Sequence, residues 1–536
     1  MKLYFNLAAA LLIYFIMPCG HAWGQEESAA AIQWKKWEHT LISQDTAAGP
    51  VNVEVSFDNS GKKFNTVAFT DDGVHYRFRA AFPETGSWKW VTNASNKSDR
   101  GLHNRKGRVE VVRYIGNNQL YQHGDLKISE DRRYLVHTDD TPFLWIGDTG
   151  WNASFKSDME EWKEYTDTRA SQGFSVIQIS PRGFGNRTTA SEKPDISFSS
   201  DGRPDTLFWN DLERKIDYAN DKGMMILLVG TGNAWRDRMA KNPLNQKFEY
   251  YIAARFAGSM VIFSPSFDQL FVDELDKVAA ELKKWTRHLV TQHPGTNLKA
   301  NLTFRNSNSV DFSGLQSGHQ GGDVSKAYAS ARQWTLDMWG GSPVKPVVML
   351  ETMYDSHGSN DAPGWREMDS RKTGWIAWLS GARGFTYGCG DVPPKVPGGK
   401  GGVWMFNKDS SSYDYWRNAI NWKSARQMTV MRAFLSSVEW WKLVPSPDLV
   451  RNQEKSDTLQ MLASKSYDLS TIVAYLPDNP RIIIDMTIFP GPYNSSWFNP
   501  QTGDFLPSTQ ITGGDQNTVF TRPEGWDDAV LKLSNL

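Results

Sequence analysis

At 536 residues the chain is too long for one compact core, and length alone implies roughly three domains. Its 59 Lys and Arg against 60 Asp and Glu give a net charge of −1 with no basic block, which excludes the electrostatic footprint of a nucleic-acid or anionic-membrane binder. Aromatic residues are abundant, with 23 Trp, 18 Tyr and 27 Phe; most belong in cores, and an excess of Trp also suits clefts where a sugar ring packs flat on an indole.

At the start, Lys2 precedes an apolar run over 7–17 and a small-residue site, Ala22-Trp23-Gly24. That is the pattern of a secretory signal peptide over residues 1–24, and the run is too short to span a bilayer permanently. The expectation is an exported bacterial protein, periplasmic, on the cell surface or extracellular. In a lipoprotein reading Cys19 would be lipidated, although Ile16-Met17-Pro18 makes a poor lipobox. If Cys19 leaves with the leader, Cys389 is the one cysteine left, so a packed core must stand in for a disulfide framework.

Over residues 25–113 the pattern is short and alternating. Segments 51–55, 76–80, 88–91 and 109–112 read as half-buried strands separated by Gly, Asn and Asp turns, which predicts a small Ig-like β-sandwich. From 114 to 445 strands alternate with helical stretches. Candidate strands fall at 143–148, 174–180, 224–229, 260–264, 298–304, 309–316, 346–351 and 384–387, with helices over 158–172, 212–222, 271–288 and 326–338. Eight such units predict a (β/α)8 TIM-type barrel. A doubly wound sheet is the alternative, but no Gly-rich phosphate loop follows the first strand. Residues 446–536 return to short strands at 472–475, 481–486, 496–498 and 529–533, a small antiparallel β-domain. Repeats and low-complexity tails are not apparent.

Catalytic groups of a barrel project from the C-terminal ends of its strands. Those ends carry Asp148 and Trp151 after the first strand, Arg182 after the second, Asp268 after the fourth, Gln316 and His319 after the sixth, and Glu351 and Tyr354 after the seventh. Glycosidic cleavage usually needs two carboxyl groups. Glu351 follows four apolar residues at a strand end, where a buried acid with a shifted pKa belongs; its alternative is a structural ion pair. Asp268 could instead cap the next helix, and Asp148 is a third contender, as a structural hydrogen-bonder or a ligand of substrate hydroxyls. His319 lacks partners at ligand spacing, so no metal site is expected, and no cofactor motif is present. Trp151, Trp235 and Trp404 are candidate sugar-facing aromatics, or barrel-top packing. The loop 391–402 could cover the cleft, although a plain surface loop fits it as well.

The residues also resemble a known family. Pro142-Phe143-Leu144-Trp145-Ile146-Gly147-Asp148-Thr149-Gly150-Trp151, then Arg169 and Gln172-Gly173-Phe174, resemble the opening of the apiosidase-like catalytic domain, that of glycoside hydrolase family 140 and its relatives. Gln316-Ser317-Gly318-His319, Glu351, the run over 374–388 and Trp404-Met405-Phe406 follow in the family's order. The stretch over 82–88 resembles the sandwich that commonly precedes this domain; Trp497-Phe498-Asn499-Pro500 and Gly525-Trp526-Asp527-Asp528 resemble the β-domain that trails it. The resemblance implies a retaining hydrolase with Glu351 as nucleophile and Asp268 as acid/base. Two departures touch the sugar site. Ser266-Phe267-Asp268 stands where the family often has Gly-Gly-Asp, and Phe304-Arg305-Asn306 is read where it tends to have a histidine, which makes Asn306 a candidate sugar ligand. The leading expectation is a secreted glycosidase acting on a polysaccharide or oligosaccharide, without a nucleic-acid partner or membrane span. A carbohydrate-binding protein on a degenerate barrel and a polysaccharide lyase are the alternatives.

Overall fold

The computed structural model describes the chain from residue 30 onward, except 47–50, 182–196, 233–235, 238, 245, 271, 320–321, 358–364, 391–400 and 515. The expected leader with Cys19, and Arg182, Trp235 and most of the 391–402 loop, lie outside the described residues.

The first unit is built from β1 (Ala31–Ile32), β2 (Lys36–Ile42), β3 (Val53–Asn59), β4 (Lys62–Thr70), β5 (His75–Ala81), β6 (Gly86–Ala94) and β7 (Lys106–Val112). They form one sheet in the order β1-β7-β6-β3-β4-β5-β2, antiparallel except at β1–β7. Period-two alternation turns Val53, Val55, Phe57, Trp88, Trp90 and Val109 inward to a common core while their neighbours face water. Arg79 and Arg255, both buried, tie this unit to the next. Arg79 pairs with Glu213 at 2.9 Å, and Arg255 pairs with Asp71 at 2.8 Å.

A short hairpin, β8 (Leu126–Ile128) with β9 (Leu135–His137), leads into seven parallel strands. These are β10 (Trp145–Thr149), β11 (Val176–Ile179), β12 (Met225–Val229), β13 (Val261–Ser264), β14 (Ser313–Gln316), β15 (Val347–Glu351) and β16 (Gly384–Tyr387), ordered β13-β12-β11-β10-β16-β15-β14. Several of the intervening helices begin where side chains satisfy the orphan amides of the first turn. Asp158 caps Met159–Ser171 with a full capping box, and Asp205 caps Thr206–Asp221. One strand face packs on the helices, with Ile146, Ile177, Ile226, Leu228, Val347 and Met349 against Trp162, Tyr165 and Ile216. The other face, with Trp145, Val176, Leu227, Val229, Ile262, Val348 and Leu350, fills the inside of the curl.

One expected strand is a helix. Leu298, Ala300, Leu302 and Phe304 alternate like a strand, yet 298–306 is helical, with Asn297 as its N-cap accepting from the Ala300 amide. The residues it buries are Ala300, Asn301, Phe304 and Arg305, spaced as one helix face. The extended segment between β13 and β14 lies earlier. Val290 bridges Phe263 in parallel, and the Asp311 amide donates to the Val290 carbonyl at 2.8 Å.

The last unit pairs β17 (Leu443–Pro445), β18 (Leu462–Ser466), β19 (Thr471–Leu476), β21 (Pro492–Phe498), β22 (Thr509–Thr512) and β24 (Ala529–Asn535) in one antiparallel sheet, with β20 (Arg481–Asp485) and β23 (Asn517–Thr521) as a separate pair. Buried Arg371, in the helix Glu367–Leu379 beside the parallel sheet, pairs with Asp528 of the last unit at 2.9 Å, and the Tyr475 hydroxyl donates to the same carboxylate at 2.8 Å. Among the described residues no helix is long and apolar enough to cross a membrane.

Candidate active site

The C-terminal ends of the parallel strands gather a group of polar side chains in an otherwise apolar wall. Glu351 reaches that mouth by a local irregularity. In β15, Val348 and Leu350 point inward and Val347 and Met349 outward, so strict alternation would send Glu351 to the helix side. The pairing with β14 steps from Leu315↔Met349 to Gln316↔Glu351, leaving Leu350 unmatched. This β-bulge resets the alternation and re-aims the carboxylate into the mouth. There the His319 Nε2 stands 3.1 Å from Glu351 Oε1, and the His293 Nε2 stands 3.4 Å from Oε2. Burial raises the pKa of Glu351, but the two imidazoles facing its oxygens overcome that and hold it well below the usual carboxylate range.

Asp268 arrives from β13 through Pro265-Ser266-Phe267. That turn is pinned by local hydrogen bonds. The Ser266 amide donates to the Gln292 side chain at 2.9 Å, the His293 amide to Ser264 Oγ at 2.9 Å, and the Asp268 amide to the His293 carbonyl at 3.2 Å. Asp268 itself has φ +55°, a left-handed conformation that Asp tolerates better than most residues and that is often held under constraint at functional sites. It is not the cap of the next helix, which starts at Val272. Its side chain is 38% exposed, and the His293 Nδ1 lies 3.6 Å from its Oδ1. Desolvation in the mouth, then the charge of Glu351, push its pKa up to about 6. The Gln316 side chain and the His293 and His319 imidazoles oppose that rise.

His293 thus sits between the two acids. One donor atom each from Asp268, His293 and Glu351 lies within 4.8 Å of the others. Sequence reading missed this residue because the 298–304 segment took the place of the extended run Leu289-Val290-Thr291-Gln292. The available signal was that short run of β-forming residues, closed by Pro294. The expected departure at this position is therefore corrected: a histidine does follow the extended segment, and Phe304-Arg305-Asn306 belongs to a helix.

The walls of the mouth are aromatic. Trp151 packs on Phe267 with ring centroids 4.6 Å apart and meets His293 edge-on at 5.1 Å. Across from them, His319 and His357 lie 4.1 Å apart, and His357 lies 5.5 Å from Trp404. Tyr354 lies 4.8 Å from His319, its hydroxyl facing both Glu351 and Thr149. The structure therefore brings Asp268, Glu351, Trp151, Gln316, His319, Tyr354 and Trp404 together, and adds His293 and His357, which sequence reading did not select.

Two expected ligands are elsewhere. Asp148 is wholly buried on the helix side of β10, bound by Arg169 Nε at 2.8 Å and by the Tyr165 hydroxyl at 2.7 Å. It falls on the opposite parity from Trp145 and has no bulge to turn it round. Asn306 is exposed at the end of its helix, accepting from Arg305 at 2.9 Å. The same guanidinium reaches the Ser342 and Pro343 carbonyls, before β15 begins, at the end opposite Glu351.

Residues 129–442 match the model of the apiosidase-like catalytic domain, more than half of the chain. The chain belongs to the apiosidase-like family. It is a glycoside hydrolase. Residues 444–534 match a second family, named for a collagen-binding domain of a collagenase. Solved structures agree at the level of fold. A glycoside hydrolase is 19% identical with TM-score 0.65, covering 79% of this chain and 99% of its own. A family 5 glycoside hydrolase from Bacteroides vulgatus is 17% identical with TM-score 0.64, covering 77% of this chain and 94% of its own. Another protein of that organism, provisionally named a glycoside hydrolase, is 14% identical with TM-score 0.65 and covers 95% of this chain and 100% of its own. Among curated proteins none matches this chain.

Proposed function

We infer that this apiosidase-like enzyme is an exported, retaining glycosidase that cleaves a glycosidic bond in a complex polysaccharide, with Glu351 as nucleophile and Asp268 as acid/base. The observation that carries the reading is a pair of carboxyl groups within 4.8 Å of each other whose pKa values are driven apart, Glu351 downward and Asp268 up to about 6. Retaining enzymes hold their two carboxyl groups about 5 Å apart, whereas inverting enzymes leave roughly 6.5–9.5 Å for a water. Opposite pKa shifts in neighbouring acids assign the roles: the depressed group attacks and the raised group donates.

In this mechanism Glu351 attacks the anomeric carbon while Asp268 passes its proton to the departing glycosidic oxygen. A glycosyl ester on Glu351 forms. Asp268, now ionised, takes a proton from water as its oxygen attacks the anomeric carbon, and Glu351 leaves as carboxylate. His293 and His319 keep Glu351 anionic before attack. Trp151, Tyr354 and Trp404 would form an aromatic wall for a sugar ring, with Gln316 and His319 addressing hydroxyls. Arg182, after the second strand, is retained as a further ligand on sequence grounds.

The architecture we favour around this site is a closed (β/α)8 barrel, with the segment near Val290 as its eighth staved element, flanked by an N-terminal Ig-like sandwich and a C-terminal β-domain. The bridge from Val290 to β13 and its bond to Asp311 support closure. The signal-like leader supports export. The deciding experiment is a screen of the purified protein on plant, algal and microbial glycans, followed by NMR of the first-formed anomer. Retention of configuration is expected. Inversion would sink the nucleophile assignment, and undiminished turnover by Glu351→Ala would sink the site.

A further inference from the structure

His293 is fully buried, and neither of its ring nitrogens has a hydrogen-bond partner. Glu351 Oε2, which it faces at 3.4 Å, has none either. A buried imidazole and a buried carboxylate oxygen left in this state are costly, and one donor atom from each lies with one from Asp268 in a triangle whose members are within 4.8 Å of one another.

We propose that Asp268, His293 and Glu351 form a binding site for a divalent first-row cation of the Zn2+ type, and that such an ion occupies the mouth in place of substrate and blocks hydrolysis. The donor set selects the class of ion. One imidazole with two carboxylates suits Zn2+, Ni2+ or Cu2+, whereas Ca2+ and Mg2+ require shells of oxygen alone and more ligands than the triangle offers. Zinc holds nitrogen and oxygen at about 2.0–2.2 Å, which draws donor atoms to roughly 3.5 Å from one another. His293 Nε2 stands 3.4 Å from Glu351 Oε2, whereas the ring's 3.6 Å approach to Asp268 is through Nδ1; an ion takes one of the two nitrogens, and the set of three donors, within 4.8 Å of one another, closes mainly by movement of Asp268. Asp268 is the partly exposed member and has room to move. A dication also neutralises the two facing carboxylates, whose mutual repulsion is otherwise a cost of the site.

Inhibition follows from which atoms are taken. The ion engages the Glu351 oxygen that would attack the anomeric carbon and the Asp268 oxygen that would carry the proton. The binding half of the proposal stands on the geometry alone; the inhibitory half rests on the glycosidase reading above.

The test is calorimetric titration of metal-stripped full-length protein with ZnCl2, and in parallel with CaCl2, for wild type, His293→Gln and Asp268→Asn. Circular dichroism checks that each variant is folded. Asp268→Asn, at a partly exposed position, serves if the buried His293→Gln does not fold. The expected result is one Zn2+ per chain in wild type, affinity reduced roughly tenfold or more in either variant, and no Ca2+ binding at this site. With a cleaved glycan in hand, Zn2+ at saturating concentration abolishes hydrolysis and EDTA restores it. Equal Zn2+ affinity in wild type and folded variants overturns the site. Activity that rises with Zn2+, or is lost to EDTA, overturns the inhibitory role. If no glycan is cleaved, the titration still decides the site, so failure of the glycosidase reading is distinguishable from failure of this one.

Discussion

Two acids stand at the ends of parallel strands, on opposite sides of the sheet, and both are buried. On the helix side Asp148 is closed off, with Arg169 and Tyr165 both bonded to its Oδ2 and Phe174 lying under the guanidinium at 4.8 Å. On the mouth side Glu351 is faced by imidazoles at 3.1 and 3.4 Å, and one of its oxygens has no hydrogen bond. Both are carboxylates, both are buried, and both lie near the C-terminal end of a parallel strand. Each keeps one oxygen without a hydrogen bond; what differs is that Asp148 is locked at its other oxygen by a guanidinium and a phenol on the helix side, whereas Glu351 opens on the mouth. A guanidinium that cannot lose its charge locks an acid into structure. Imidazoles at 3.1 and 3.4 Å keep Glu351 charged while leaving lone pairs facing the mouth for a substrate.

The comparison breaks most visibly through activity. Glu351→Gln removes the attacking oxygen and should lower kcat by about 10⁴-fold, with thermal stability near that of wild type. Asp268→Asn should cost about 10²–10⁴-fold on substrates with poor leaving groups, and less where the leaving group departs without a proton. The wild-type pH profile should fall on the alkaline side near pH 6 as Asp268 loses its proton. The alkaline limb should be absent in Asp268→Asn. A limb that persists there would assign the acid to another group.

On the helix side the expected effect is on folding. Asp148→Asn leaves the Arg169 charge buried without its counter-ion, a change worth about 3–5 kcal/mol. Chemical denaturation should show that loss, while kcat per folded molecule stays within a few-fold of wild type because Asp148 does not reach the mouth. A large fall in kcat at unchanged stability would place Asp148 with the catalytic groups after all.

Asp268 itself sharpens the contrast further, in the opposite direction. Its folded pKa, about 6, lies above the ordinary value of 3.8, so the native state holds a proton that the unfolded chain releases between those two values. Its contribution to stability is therefore highest below about pH 4 and declines as pH rises to 6. Asp268→Asn removes that decline. Its Tm at pH 7.5 should exceed that of wild type by roughly 1–3 °C, a modest gain because the carboxyl is 38% exposed and screened. An equal Tm difference at pH 4 and pH 7.5 would refute the linkage.

Much of this arrangement is legible in the sequence, and the exceptions are physical. Seven strand positions follow from apolar runs ending in polar residues, and both catalytic candidates come from those ends. The segment at 298–304 misleads because Leu298, Ala300, Leu302 and Phe304 satisfy period two, while Asn297 and the residues between them supply a cap and a helix. That error hid His293 and promoted Asn306. Glu351 is found in the sequence for an incomplete reason. A strand end alone does not decide which face an acid takes, and the bulge at Leu350 that decides it leaves no mark in composition. Asp148, without a bulge, is the same pattern facing the other way. His357 carries no pattern signal, since only the folded chain brings it to 4.1 Å from His319.

The smallest effect concerns His319, which touches Glu351 Oε1 at 3.1 Å but is 23% exposed. It is a positioning residue: its imidazole helps hold the carboxylate charged, and His293 supplies the remainder from the other oxygen. His319→Gln keeps a hydrogen-bond donor and removes the cationic option. The acid limb of kcat/KM should then move to higher pH, because Glu351 now takes up its proton more readily, while the rate on the plateau falls only a few-fold. His319→Leu removes the donor as well and should move the limb further. The two shifts, in that order, separate charge from hydrogen bonding at one oxygen. An acid limb that stays in place in both variants would assign the low Glu351 pKa to His293 alone.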